Sequence, residues 1–165
     1  RDCNVFVDND GEVYFVSTTE ENTNIGLFRL ADDYLSAESH VCLMPGLRRE
    51  APVIVRHDNL YYMLSSACTG WAPNQCMLSV SKRLDRGWSQ LEKIGDDKAF
   101  RTQAAAVIEI KGTKKTTYLY IGDRWMDPDL PSSKIIIFPI EFKDGKCIFE
   151  YRDEFRINFT TGEVE

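Results

Sequence analysis

Arg1-Asp2-Cys3-Asn4-Val5-Phe6-Val7-Asp8-Asn9-Asp10-Gly11-Glu12-Val13-Tyr14-Phe15-Val16 is the stretch whose reading decides the fold. Val5–Val7 and Val13–Val16 are runs of β-branched and aromatic residues, the types that suit a pleated, half-buried surface. Asp8-Asn9-Asp10-Gly11 between them supplies turn chemistry, so the stretch predicts a β-hairpin. The pattern returns as Val53–Val55, His57-Asp58-Asn59 and Tyr61–Leu64, then as Val107–Ile110, a Lys111–Lys115 turn and Tyr118–Ile121. A fourth copy runs Ile140–Phe142, Lys143-Asp144-Gly145, Cys147–Phe149. The second strands begin near 13, 61, 118 and 147, and the first two spacings, 48 and 57 residues, suit one four-stranded propeller blade per repeat. The last spacing is shorter, so the fourth unit is expected to be partial.

Working outward, Ile25–Leu30, Met77–Ser81 and Lys134–Phe138 read as the outer strands of successive blades. Helical periodicity is almost absent, and Asp32–Leu35 offers one helical turn at most. No linker or low-complexity segment divides the chain, so the reading is one all-β domain, an incomplete propeller of about three to four blades. An open propeller would leave bare strand edges, which soluble proteins avoid. Together with a first residue that is Arg1 and not Met, this predicts that blades are missing on the N-terminal side.

The 165 residues include 43% hydrophobic and 12% aromatic side chains, enough for a packed core and too many for a disordered chain. The net charge of -6, with no basic tract, argues against nucleic acid and anionic membrane as partners. No apolar run approaches the roughly 20 residues of a membrane helix. Five cysteines, at 3, 42, 68, 76 and 147, include no CxxC pair, so neither a zinc site nor a closed disulfide framework is indicated. Cys68 and Cys76 are the pair placed best for a disulfide. No feature demands a metal or another cofactor.

The residues that could carry chemistry are carboxylates and aromatics. Asp2 and Glu50 each stand just ahead of an innermost strand. In a propeller, equivalent positions in successive blades converge on one end of the central channel. Paired carboxyl groups of that kind suit glycoside hydrolysis, which needs a proton donor of raised pKa beside a second acid. Trp71, in Thr69-Gly70-Trp71-Ala72-Pro73-Asn74, and Trp125, at a strand end, offer flat faces to sugar rings. Trp88 reads as a gap filler, and His40 and His57 as surface residues.

Several of these motifs resemble glycoside hydrolase family 43. Residues 1–11 look like the family's second-blade signature. Arg49-Glu50-Ala51-Pro52 followed by Tyr61–Ser66 resembles its general-acid blade. The Cys68–Asn74 loop, Gly122-Asp123-Arg124-Trp125 and the ending Arg156–Gly162 are closest to the exo-β-1,3-galactanase branch. The resemblance spans the whole chain and implies that 1–165 is the C-terminal part of a five-bladed propeller catalytic domain that inverts the anomeric centre. It implies Glu50 as general acid and Asp2 as the carboxylate that orients it and raises its pKa. The family's usual base, a first-blade Asp, would precede Arg1. Gln103 stands where the galactanase branch places a Gln in that role; a neutral amide is a poor base and could act by positioning water or as an imidic-acid tautomer. The resemblance further implies Asn24, Thr69, Trp71, Arg124 and Trp125 as substrate-binding residues, a β-1,3-galactan such as the arabinogalactan backbone as substrate, and an extracellular or periplasmic location. An arabinofuranosidase or xylosidase, or a propeller that binds sugar without cleaving it, remains open.

Overall fold

The computed structural model describes all 165 residues as three sheets of four antiparallel strands, each built from consecutive segments. Sheet 1 contains β1 (Cys3–Val7), β2 (Val13–Thr19), β3 (Asn24–Leu30) and β4 (Ala37–Met44). Sheet 2 contains β5 (Arg49–His57), β6 (Leu60–Ala67), β7 (Met77–Ser81) and β8 (Glu92–Lys93). Sheet 3 contains β9 (Gln103–Lys111), β10 (Thr116–Arg124), β11 (Lys134–Lys143) and β12 (Lys146–Ile148). The only helical elements are two short 3-10 turns, Ala99–Arg101 and Leu130–Ser132.

The three inner hairpins fall where the turn chemistry places them. Phe6 pairs with Tyr14, Val55 with Tyr62 and Leu119 with Ile108. Two expectations are corrected. Ile140–Phe149 is not the start of a fourth blade: Ile140–Phe142 belongs to β11, the third strand of sheet 3, and the hairpin to β12 completes that sheet. Asp32–Leu35 forms no helical turn; Tyr34 takes a φ of 61°, which reverses the chain between β3 and β4.

Sheet 2 is sandwiched between the other two, which explains why Tyr61-Tyr62-Met63-Leu64 is an unbroken apolar run and not an alternating one. Side chains of a strand alternate between faces. Tyr61 and Met63 pack with Phe6, Val16, Ile25 and Leu27 of sheet 1. Tyr62 and Leu64 pack with Tyr118, Tyr120, Phe138 and Phe142 of sheet 3. Trp88 fills the edge of the first cluster and donates its indole N–H to the Leu84 carbonyl at 3.1 Å. Of the two histidines, His40 is exposed, whereas half-buried His57 lies at the end of β5 with Nδ1 3.1 Å from the Tyr118 hydroxyl.

Sheets 1 and 3 touch through their first strands: Asn4 Nδ2 donates to the Ala105 carbonyl at 2.8 Å. On the faces turned away from sheet 2, Val5 and Val7 of β1 and Ile108, Ile135 and Ile137 of sheet 3 stay exposed. The chain end folds back on the β9–β10 turn, where Thr113 and Lys114 donate backbone hydrogen bonds to the Thr160 and Thr161 carbonyls. Gly112 is required there, because a Cβ on it would lie 2.1 Å from the Gly162 nitrogen.

Candidate active site

The starts of β1, β5 and β9 meet at one end of the molecule. Glu50 is the second residue of β5, and immediately after it the β5–β6 ladder slips, skipping Ala51 and Pro52. Proline cannot donate to a ladder and is tolerated at such a bulge. Ala51 takes a φ of 50° and turns its N–H out of the sheet. That N–H donates to Asp2 Oδ2 at 3.0 Å, tying the first carboxylate to the residue next to the second. Asp2 is held from its own sheet as well, its carbonyl accepting the Thr18 N–H at 3.1 Å.

Glu50 is half-buried and hydrogen-bonded to neighbours from all three sheets. Its Oε1 accepts Gln103 Nε2 at 3.1 Å and its Oε2 accepts Asn22 Nδ2 at 3.3 Å. Ser66 donates to the Glu50 carbonyl at 3.3 Å and receives the second Gln103 N–H at 2.8 Å. Burial, and after it the negative charge of Asp2, hold the Glu50 carboxyl above the usual carboxylate range, against the opposing pull of Gln103, Cys68 and Arg49. Arg49 points to the other face of β5. It is buried with no carboxylate partner, donating to the carbonyls of Ser65 and Gln75 at 2.6 and 2.9 Å.

A cleft continues from Gln103 along the 70–74 loop. Trp71 and Trp125 meet there with ring centroids 4.9 Å apart and an interplanar angle of 59°, and Trp71 is 47% exposed. The Trp125 indole N–H donates to Gln103 Oε1 at 2.9 Å. Asp123 lines the same cleft with no hydrogen-bond partner, and burial raises its pKa.

Asp2, Glu50, Gln103, Trp71 and Trp125 are thus brought together, whereas three residues expected to bind substrate are turned to other tasks. Arg124 follows Asp123 on β10 and points the opposite way, donating to the Phe100 carbonyl at 3.0 Å and lying over the Tyr151 ring. Asn24 is buried between Glu20 and the Gly46 amide, at 2.9 Å from each. Thr69 spends its hydroxyl inside its own loop, donating to the Ala72 carbonyl at 2.7 Å and accepting from Asn74 at 2.8 Å.

Asn22 reaches the site without having been singled out in the sequence, and Ser66, Cys68 and Asp123 were read there as parts of motifs or, for Cys68, as a disulfide candidate, not as site residues. The one signal was the acidic turn before β3: Glu20, Glu21 and Asn22 have φ of 48°, 55° and 61°. Consecutive left-handed non-glycine residues are strained, and such strain concentrates at functional loops. Cys68 and Cys76, the pair placed best for a disulfide, are free thiols: Cys76 is buried, whereas Cys68 is exposed beside Glu50. Burial and the neighbouring carboxylate both push the Cys68 thiol up, so it is a poor nucleophile.

These features are those of a family of sugar-cleaving enzymes. The chain belongs to glycosyl hydrolases family 43, whose family profile matches residues 2–144. Among solved structures it is similar to an exo-β-1,3-galactanase from Clostridium thermocellum, with 38% identity and a TM-score of 0.95 over 99% of this chain and 37% of that one. It is also similar to an exo-β-1,3-galactanase from Phanerochaete chrysosporium crystallised with β-1,3-galactotriose, with 28% identity and a TM-score of 0.92 over 99% of this chain and 38% of that one. A third relative, a family 43 β-1,3-galactosidase with bound galactodeoxynojirimycin, is 32% identical with a TM-score of 0.83 over 93% of this chain and 46% of that one. The chain therefore spans about two fifths of the length of the galactanases it resembles. No curated protein sequence matches it.

Proposed function

We propose that these 165 residues form the C-terminal part of a single five-bladed propeller domain that hydrolyses terminal β-1,3-linked galactose with inversion. The exposed apolar faces of sheets 1 and 3 suit further blades packed against them, in the way sheets 1 and 3 pack on sheet 2. Glu50 is the general acid, and the observation that carries the assignment is its position: a half-buried carboxyl whose pKa is raised by burial and by Asp2. When Glu50 gives its proton to the leaving oxygen, the carboxylate that remains already has two amide donors, Gln103 and Asn22. Burial strengthens the carboxyl's hold on its proton before the reaction, and the amides steady the ionised form after it.

Gln103 orients the water. Both of its N–H groups are engaged, with Glu50 and Ser66, and its carbonyl receives the Trp125 indole. The one free position is the second lone pair of that carbonyl, which can accept a hydrogen from water and leave the water's own lone pair for attack. A proton taken up there could be balanced by passing an Nε2 proton to the Glu50 carboxylate, restoring the acid through an imidic-acid tautomer.

Trp71 stacks the sugar ring, with Asp123 available to accept from a hydroxyl. The test is galactose release from β-1,3-galactan by the complete domain, with the anomer followed by NMR. The α-anomer should appear first. Initial β-galactose would overturn inversion, release of arabinose or xylose would move the specificity, and binding without release would make this a sugar-binding propeller.

A further inference from the structure

We propose that Trp125 is a positioning residue for this reaction: its indole N–H locks the side-chain amide of Gln103 in one orientation. The inference rests on the functional reading above and goes beyond it, because Trp125 is otherwise a stacking surface for sugar.

The oxygen and nitrogen of a glutamine amide are nearly equal in shape, so the chemistry of the neighbours decides which is which. Three neighbours surround Gln103. Ser66 has a hydroxyl that can donate or accept. Glu50 accepts when ionised and can donate when protonated. Only the Trp125 indole is a donor in every state. At 2.9 Å from Gln103 Oε1, it fixes the carbonyl toward itself and thereby turns both N–H groups toward Glu50 and Ser66, at 3.1 and 2.8 Å.

Without that donor, the amide could turn over whenever Glu50 carries its proton. The carbonyl would then accept from the Glu50 hydroxyl, holding the proton away from the leaving oxygen. The lone pair offered to water would move with it. Local structure supports a built arrangement. The β9–β10 ladder slips between Ile121 and Gly122, so Gln103 stands opposite Asp123, two residues before Trp125. A Cβ on Gly122 would lie 2.6 Å from the Tyr120 ring, so this glycine lets the strand end approach closely. The loop on the other side presses Trp71 against the Trp125 ring.

Trp125→Phe keeps an aromatic ring against Trp71 and removes the N–H. The expected result is a fall in kcat on β-1,3-galactan of about tenfold, the worth of one hydrogen bond, with KM little changed. In a Gln103→Ala background the same substitution should do nothing further. The titration of the Glu50 carboxyl, followed by carbon NMR, should move upward, since its amide donor is no longer held in place. The charged and titratable groups that act on Glu50, namely Asp2, Cys68 and, from the other face of β5, Arg49, are untouched by the change. A rise in KM alone, or an unmoved Glu50 titration, would overturn the proposal and return Trp125 to stacking. In the unsubstituted protein, the Trp125 indole proton should exchange more slowly than that of exposed Trp71; equal exchange would overturn the lock without any variant. If the unsubstituted protein releases no galactose, the functional reading fails, while the titration and the exchange still test the lock.

Discussion

The first strand carries a carboxylate beyond each end, and the two have opposite fates. Asp8, after β1, is buried at 7% exposure. Burial alone would raise its pKa, but hydrogen bonds from Arg56, Tyr61 and the Asn9 amide overturn that effect and hold it below the usual range. Arg56 Nη1 and the Tyr61 hydroxyl reach its two oxygens at 2.5 and 2.7 Å. At the other end, Asp2 and Glu50 come from the same pair of sheets, yet they face each other with amides and no cation on the carboxylate oxygens. Both ends join sheet 1 to sheet 2. One is neutralised and serves as a staple; the other is left under-compensated, which costs stability and raises the Glu50 pKa.

The largest effect that could break this contrast is on catalysis. In the complete domain, Glu50→Gln should lower hydrolysis of galactan by roughly 10²–10⁴-fold, the usual worth of general acid help. An aryl galactoside with a good leaving group should lose much less. Equal losses on both substrates would show Glu50 to be a binding residue.

Next in size is the staple. Asp8→Ala strands Arg56 and Tyr61 without their acceptor and should cost about 2–4 kcal/mol of unfolding free energy, less than a fully buried pair because Arg56 is partly solvated. The rate per folded molecule should not change. A lowered carboxylate pKa stabilises the fold above the unfolded value of about 3.9, and the contribution fades as pH falls through the folded value. Denaturation of Asp8→Ala and the parent should therefore converge in acid. Tyr61→Phe removes one of the two donors and should cost about 1–1.5 kcal/mol.

The smallest effect has the opposite sign. Glu50→Gln should stabilise the protein at neutral pH by on the order of 1 kcal/mol. A raised folded pKa means that stability falls as pH rises past the unfolded value of about 4.3. The gain should then vanish below that pH. A loss of stability at neutral pH would mean that the acid end is as well compensated as the staple.

The three inner hairpins were legible because turn residues and apolar runs are local signals, and Asp2, Glu50 and Gln103 come to one end because each lies at the start of an inner strand. The misread fourth hairpin has the same local signature as the others. Nothing in Ile140–Phe149 tells an outer pair from an inner one; only the pairing of β10 with β11 does. The outermost strands were invisible for a related reason: β4 is exposed and polar over Ala37–His40, and β8 has two residues. Among the binding residues, Arg124 was misplaced by one step of strand alternation beside a ladder slip. Asn24 was absorbed by hydrogen bonds with Glu20 and the Gly46 amide, and Thr69 by those of its own loop, a competition that sequence spacing does not reveal. Asn22 reached Glu50 because the turn before β3 takes a left-handed path that its composition only hints at.

The order of strands within each sheet has a consequence for how the chain acquires its chemistry. Every ladder joins strands adjacent in sequence, so each sheet can form from short-range encounters, the kind that are made early and quickly. The contacts of the acid end are different: Asp2 to Ala51 spans 49 residues and Glu50 to Gln103 spans 53, each from one sheet to the next. A chain with all its hairpins in place but its sheets undocked would have its secondary structure and none of its site. Such sub-global opening is the low-energy kind. On gradual addition of denaturant, any affinity for galactose should then disappear while the far-ultraviolet signature of the strands persists.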